Sequence, residues 1–338
     1  MGATQRNAFA VVGAGSWGTA LAILLANNSL PTRIWGHEPE HMQQLIRERI
    51  NQTFLPEIKF PEQLEPVSTL EEAMLGVTDI LVVVPSHAFH AVLQEVSQLI
   101  KPGMRVVWAT KGLEPISAKL LSDIASEVLP ANTPTAVLSG PTFAREVAVG
   151  LPTAITVASA DTDYADNLAD LLHNKTFRAY TSDDLTGVQI GGAVKNVMAI
   201  AAGISDGLGF GANCRSALIT RGLAEIMRLG IQMGGKAETF MGLAGLGDLA
   251  LTCTDNQSRN RRFGMALAQG MGTEQALESI GQVVEGHQTA YEVHMLAERL
   301  GVDMPITTGV YRILYEGMDP RRVVSDLFSR EQKSEHEA

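Results

Sequence analysis

Cysteine is scarce in this chain. Cys214 and Cys253 are the only two in 338 residues; they form no metal-ligand spacing, so no metal is expected, and they fit a reducing compartment. Each reads as a small buried residue. Surplus basic charge is lacking too. The formal net charge is -11 at pH 7, and phosphate backbones are held by surplus Lys and Arg, so no nucleic-acid partner is expected. No apolar run approaches the roughly 20 residues that a membrane helix needs, which argues against membrane insertion. The first apolar run, residues 8–12, is too short for a signal peptide and leads straight into glycines, pointing to a cytoplasmic protein. What remains is the composition of a folded soluble protein, 45% hydrophobic and 19% charged, with 32 glycines. Its length suggests two domains. One basic cluster, Arg259, Arg261 and Arg262, stands in this acidic background as a candidate site for a small anion.

Up to residue 186 apolar strands alternate with helices. Strand 9–12 is followed by Gly13-Ala14-Gly15-Ser16-Trp17-Gly18 and a helix over 19–27. GxGxxG between a strand and a helix is a dinucleotide-binding fingerprint. Gly13 allows the tight turn, Gly15 lets backbone approach a pyrophosphate, Gly18 allows close helix packing, and the helix start supplies N–H donors. Strand 32–35 ends in Gly36-His37-Glu38. A site strict for NAD usually places an acid at this strand end; His37 stands there instead, which favours NADPH over NADH, unless His37 is only an exposed turn residue.

Helix 39–49 gives way to a surface excursion over 51–66, then helix 69–75 and the apolar strand 80–84, which reads as a parallel strand covered on both faces. Helix 88–100 and strand 105–109 lead to Thr110-Lys111-Gly112, so Lys111 lies just past a strand's carboxyl end, where open α/β sheets bind ligands. A solvated loop lysine is the other reading. Helix 116–129, strand 135–138, a turn in which Thr142 is placed to cap helix 143–149, strand 154–158, helix 164–173 and strand 177–180 complete the pattern. The fold class is α/β, a Rossmann-like domain with a mostly parallel, doubly wound sheet over 1–186. An all-helical substrate and catalytic domain over 187–330 and a disordered tail over 331–338 follow.

The second domain opens with GVQIGGAVKNVMAIAAGISD at 187–206, an apolar helical pattern carrying Lys195 and Asn196. Burying a lysine is costly without a partner or a job, and this one is expected to stand over the seam of the two domains. Its other reading is a stem that covers core while the head reaches water. Downstream, the glycines of 241–248 end in Asp248 and lack the Lys-Ser/Thr of a phosphate loop. Asp255, Asn256 or Ser258 can cap a helix over 261–269, with Arg259 and Asn260 near its first turn; a cation there calls for an anion, and a phosphate fits. Glu285 falls in a loop over 281–286 before three further helices.

Together these features fit hydride transfer to a small phosphorylated carbonyl compound. As ammonium, Lys195 would protonate the developing alkoxide; as neutral amine it would take the proton back. Burial lowers its pKa and Asp248 raises it, and the pattern leaves the balance open. Two other readings fit the same features: a reductase of a 3-hydroxy acid or sugar-acid phosphate, and a dinucleotide sensor in which Lys195 is structural.

GAGSWGTALA at 13–22, WATKGLE at 108–114, SGPTFAREV at 139–147, GGAVKNVMAI at 191–200 and GLGDLALTCTDNQSRNRRFG at 245–264 cover nearly the whole chain. Through them it closely resembles the bacterial-type NAD(P)-dependent glycerol-3-phosphate dehydrogenases; the last two motifs are specific to that family. The resemblance implies reduction of dihydroxyacetone phosphate to sn-glycerol 3-phosphate for phospholipid synthesis, with NADP or NAD and no metal. It implies Lys195 as proton donor and acceptor, with Asn196 and Thr252 at positions that support Lys195 and Asp248. Lys111, Gly140, Thr142, Asp248, Ser258, Arg259 and Asn260 would surround the substrate. Ser16, Trp17, His37, Lys111, Ala144, Arg259, Val283 and Glu285 would touch the cofactor. Homodimers are common in the family.

Overall fold

Aliphatic runs with no polar interruption need cover on both faces, and the central strand has it: all four residues of Phe9–Val12 are buried. The computed structural model describes residues 7–331 and Ser334. The tail expected over 331–338 therefore lies, apart from Glu331 and Ser334, outside the described residues. The chain divides into two units, Met1–Thr110 with Leu121–Leu185, and Lys111–Leu120 with Thr186–Ala338.

In the first unit the strands are Phe9–Val12 (β1), Thr32–Trp35 (β2), Ile50–Asn51 (β3), Leu55–Lys59 (β4), Leu64–Pro66 (β5), Asp79–Val82 (β6), Arg105–Trp108 (β7), Thr135–Ser139 (β8), Thr153–Ala158 (β9) and Phe177–Ser182 (β10). Eight of them form one sheet in the order β10-β9-β8-β7-β6-β1-β2-β5. Every neighbouring pair is parallel except β8 and β9. β1 lies where the order reverses, with β2 on one side and β6 on the other. Ligands of open α/β sheets bind beyond the strand ends at such a point.

Three expectations for residues 51–148 need correction. Residues 51–66 are not an unstructured excursion: β3 and β4 pair antiparallel, and β5 joins the main sheet beside β2. The helix expected from 116 begins only at Leu121, because Ile116 and Ala118 hold positive φ angles of 76° and 52° that no helix admits. Thr142 does not cap the short helix Ala144–Ala148. Phe143 precedes that helix without a side-chain bond, and the Thr142 hydroxyl donates to the Gly140 carbonyl at 3.2 Å.

The second unit, helical apart from its connecting loops, is built round Leu185–Gly207, whose residues 187–205 are all buried. By length and composition this helix could cross a membrane, which the reading of short apolar runs missed, yet its apolar window is wholly covered by the fold. Arg259–Ala268 crosses it backbone to backbone. A Cβ on Gly203 would meet the Arg261 carbonyl oxygen at 2.0 Å, and one on Gly264 the Ile200 carbonyl oxygen at 2.1 Å. The glycines of 243–247 form one π-helical turn that runs directly into the helix Asp248–Thr254, a short element the periodicity did not reveal. Turns of this kind recur at functional sites.

Candidate functional site

Beyond the carboxyl end of β1 the chain reverses into the helix Ser16–Asn27. Gly13 has φ +121°, and a Cβ there would sit 2.2 Å from the Val83 carbonyl oxygen; one on Gly18 would sit 1.9 Å from the Gly13 carbonyl oxygen. Protein packing therefore explains both glycines. A Cβ on Gly15 would meet nothing within 4 Å, so no clash within the protein accounts for that glycine. This fits a dinucleotide, whose pyrophosphate needs close backbone approach there. The surrounding carbonyls are tied back. Thr19 N–H donates to the Gly15 carbonyl at 3.0 Å, and the Asn51 amide donates to the Ala14 carbonyl at 2.8 Å. First-turn N–H groups have no intrahelical partner and are left for an anion. Ser16 Oγ donates to the Phe54 carbonyl at 2.7 Å, and the buried Trp17 indole N–H has no protein partner.

Around the same sheet, His37 is exposed past β2 with its ring 3.8 Å from Glu38. Past β8, Gly140 has φ +153°, and Ala144 opens its short helix. Sequence reasoning missed Asn51 because a polar residue inside a two-residue strand leaves no periodic signal.

In the second unit, two ammonium groups share one carboxylate. Lys195 Nζ donates to Asp248 Oδ1 at 2.5 Å and to Thr252 Oγ1 at 2.9 Å, while Lys111 Nζ donates to Asp248 Oδ2 at 2.6 Å. Thr252 Oγ1 in turn donates to the Asp248 carbonyl at 2.6 Å, one helical turn back. Asp248 is fully buried and Lys195 is 6% exposed. The lysine is thus no snorkelling side chain: its head meets a carboxylate and a hydroxyl. Lys111 is no solvated loop lysine either. Burial is the largest influence on Lys195 and Lys111 adds to it, so its pKa falls to about 8 although the Asp248 charge pulls the other way. The cluster carries one surplus positive charge.

A row of amides links the lysine's helix to two others. Gly286 N–H donates to Asn260 Oδ1 at 2.8 Å, and Asn260 Nδ2 donates to Asn196 Oδ1 at 3.0 Å. Ser258 is the cap of Arg259–Ala268, its hydroxyl accepting from Arg261 N–H at 3.2 Å. That makes Arg259 the first helical residue. Burial lowers the pKa of Arg259, opposed by the charge of Glu285 and reinforced by Arg262. Glu285 is not in a loop as expected but begins the helix Glu285–Leu300, and Val283 is exposed just before it. The basic cluster also dissolves in part: Arg261 is buried, bonded to the Cys253 carbonyl, Asn256 and Asp206, and is not available to an anion.

Among the described residues no group of three or more His, Cys, Asp or Glu side chains could hold a metal ion. Residues 8–165 match the family model of the NAD-dependent glycerol-3-phosphate dehydrogenase N-terminus, and residues 184–325 that of its C-terminus. The chain is 56% identical over 329 residues to a glycerol-3-phosphate dehydrogenase (NAD(P)+) of Aeromonas hydrophila, covering 97% of this chain and 98% of the relative. It is 57% identical over 326 residues to that of Shewanella halifaxensis, covering 96% of each. A crystal structure of a glycerol-3-phosphate dehydrogenase from Coxiella burnetii superposes with a TM-score of 0.93 at 48% identity, over 96% of this chain and 99% of that one. By matches that span nearly its whole length, this chain belongs to the NAD-dependent glycerol-3-phosphate dehydrogenase family and is an NAD(P)-dependent oxidoreductase.

Proposed function

We propose that Lys195 moves the proton in the reduction of dihydroxyacetone phosphate to sn-glycerol 3-phosphate, the backbone of glycerophospholipids, at the expense of NAD(P)H. The observation that carries this is the amine itself, buried, bonded to Asp248 and Thr252, and with a pKa of about 8. Such a group is charged at neutral pH yet gives up its proton readily, as a general acid should. An ammonium has three N–H bonds; two are committed to Asp248 and Thr252, which leaves the third for the carbonyl oxygen that becomes the alkoxide. In the oxidative direction the neutral amine takes the hydroxyl proton.

Bound NAD(P)H supplies the hydride. On this reading the region 1–186 holds the dinucleotide through Gly13, Gly15, Ser16, Trp17, Gly18, His37 and Ala144. The region 187–330 supplies Lys195, Asp248, Asn196 and Thr252 for the chemistry and adds Arg259, Val283 and Glu285 to the cofactor's contacts. Lys111, Gly140, Thr142, Ser258, Arg259 and Asn260 bind the substrate, whose phosphate suits an arginine on a helix's first turn. Lys111 offers it a second cation. His37 at the end of β2, where a strict NAD site would have an acid, supports a preference for NADPH. The enzyme acts in the cytoplasm, where Cys214 and Cys253 stay reduced, and as a homodimer.

The test is a spectrophotometric assay with dihydroxyacetone phosphate, run with NADPH and NADH. Turnover with a higher kcat/KM for NADPH is expected; a higher value for NADH removes the preference, and no turnover removes the function. Lys195→Ala is expected to bind NADPH normally and to lose several orders of magnitude in kcat. Near-normal turnover in that folded variant takes Lys195 out of the chemistry.

A further inference from the structure

A glycine turn binds a pyrophosphate only if its N–H groups face the ligand, and that requires its carbonyls to face away. Backbone freedom alone does not choose between the two, because a flexible turn can present either. In this chain one side chain makes the choice at Ala14. Asn51 is completely buried, and its Nδ2 donates at 2.8 Å both to the Ala14 carbonyl and to Thr19 Oγ1, on the first helix of the unit. The other end of the amide is fixed as firmly. Oδ1 accepts from Phe54 N–H at 3.1 Å and lies 3.0 Å from His41 Nε2. Phe54 is itself tied down: Ser16 donates to its carbonyl, and His41 meets its ring edge-on with centroids 5.2 Å apart.

Because the Phe54 amide can only donate, the Asn51 oxygen must face it and the NH2 group must face Ala14; the orientation of the side chain is not free. We infer that Asn51 is a positioning residue for the cofactor, holding the Ala14 carbonyl away so that the Gly13–Gly18 turn offers the pyrophosphate donors alone. The inference rests on the dinucleotide reading of that turn and adds to it a residue outside the glycine motif. An aspartate in its place would keep the size and the acceptor but put a second oxygen against the Ala14 carbonyl. Repulsion would then turn that carbonyl outward, towards the anion.

Asn51→Asp in the full chain tests this, with ADP-ribose as the pyrophosphate-bearing probe in titration calorimetry, thermal unfolding as the fold control, and KM measured for both substrates. The expected result is a loss of ADP-ribose affinity of about tenfold or more, the size of one unfavourable buried polar contact. The NADPH KM should rise in parallel, with the dihydroxyacetone phosphate KM within about twofold of its original value. If Asn51→Asp does not fold, His41→Phe serves: it keeps both amide donors and the ring contact to Phe54, removes one of the two bonds that orient the amide, and should weaken ADP-ribose about threefold. Unchanged ADP-ribose affinity in the folded variant overturns the inference, as does an equal loss for ADP-ribose and for dihydroxyacetone phosphate. A wild-type protein that does not bind ADP-ribose would instead overturn the dinucleotide reading beneath it.

Discussion

Replacing Lys111 with methionine should move the pH profile of the enzyme upward without changing its shape. The two lysines bond opposite oxygens of the same carboxylate, at 2.6 and 2.5 Å, so their nitrogens lie on the order of 5 Å apart. At an effective dielectric constant of ~20, two like charges at that distance repel by about 3 kcal/mol, or roughly 2 pKa units. Lys111 is 15% exposed, and solvent screening reduces this to an expected shift of about 1–2 units. Its removal also leaves Asp248 to Lys195 alone, which acts in the same direction. With Lys195 as the proposed proton donor, the reductive reaction needs it charged, so its kcat/KM should fall as pH rises through about 8. In Lys111→Met that limb should lie about 1–2 units higher. The oxidative reaction needs the neutral amine, so its rising limb should move up by the same amount. Plots of kcat/KM against pH in both directions read the ionisations of the free enzyme. If Lys111 binds substrate as proposed, overall rates will drop, but the position of the limb is independent of its height. A limb that stays in place or moves down refutes the charge coupling.

Arg259→Ala should raise the KM for dihydroxyacetone phosphate by roughly 2–5 kcal/mol equivalent, about thirtyfold at the least, if the phosphate is held in a desolvated pair. A KM within about twofold of wild type would show that the phosphate binds elsewhere. Glu292 gives a test on stability. It is 1% exposed, and burial, helped by Glu285 and Glu114 and opposed by Gln288, pushes its pKa from 4.5 to about 7. A carboxyl whose folded pKa lies above its unfolded one favours the fold below about pH 4.5 and loses that contribution as pH rises through about 7. Glu292→Gln should therefore gain up to about 3 kcal/mol at pH 8 and little at pH 5, read as Tm against pH. Equal Tm changes at both pH values would exclude an ionised carboxylate there.

The doubly wound sheet could be read from the chain because β1, β6, β7 and β8 are short apolar runs bounded by helices, and burial on both faces leaves that mark on any sequence. The glycine turn was legible through its spacing between a strand and a helix, and at Gly13 and Gly18 the bare positions answer a steric demand within the protein. Lys195 stood out as a single cation on an apolar helix, and Ser258 was among three residues able to cap the next helix. What stayed hidden depended on tertiary partners. Nothing local shows that Asn51 reaches Ala14, 37 residues away, or that Asp248 takes both lysines at separations of 137 and 53 residues. The side chains of Ile116 and Ala118 do not forbid a helix, and only their positive φ angles reveal why the helix starts late. Arg261 looked like its neighbours Arg259 and Arg262 until its contacts to Asp206 and the Cys253 carbonyl separated it from them.

The short stretch Lys111–Leu120 groups with the helical unit although 65 residues of the chain, Leu121–Leu185, separate it from Thr186. Anyone who expresses the C-terminal half by cutting at the obvious boundary will obtain a fragment with Lys195 and Asp248 but one cation short. Its amine should titrate as Lys111→Met predicts, while its hydrophobic interior lacks Leu113, Ala118 and Leu120. A soluble excised version would need that decapeptide grafted back, by circular permutation or as a linked segment, before its chemistry could stand for that of the whole.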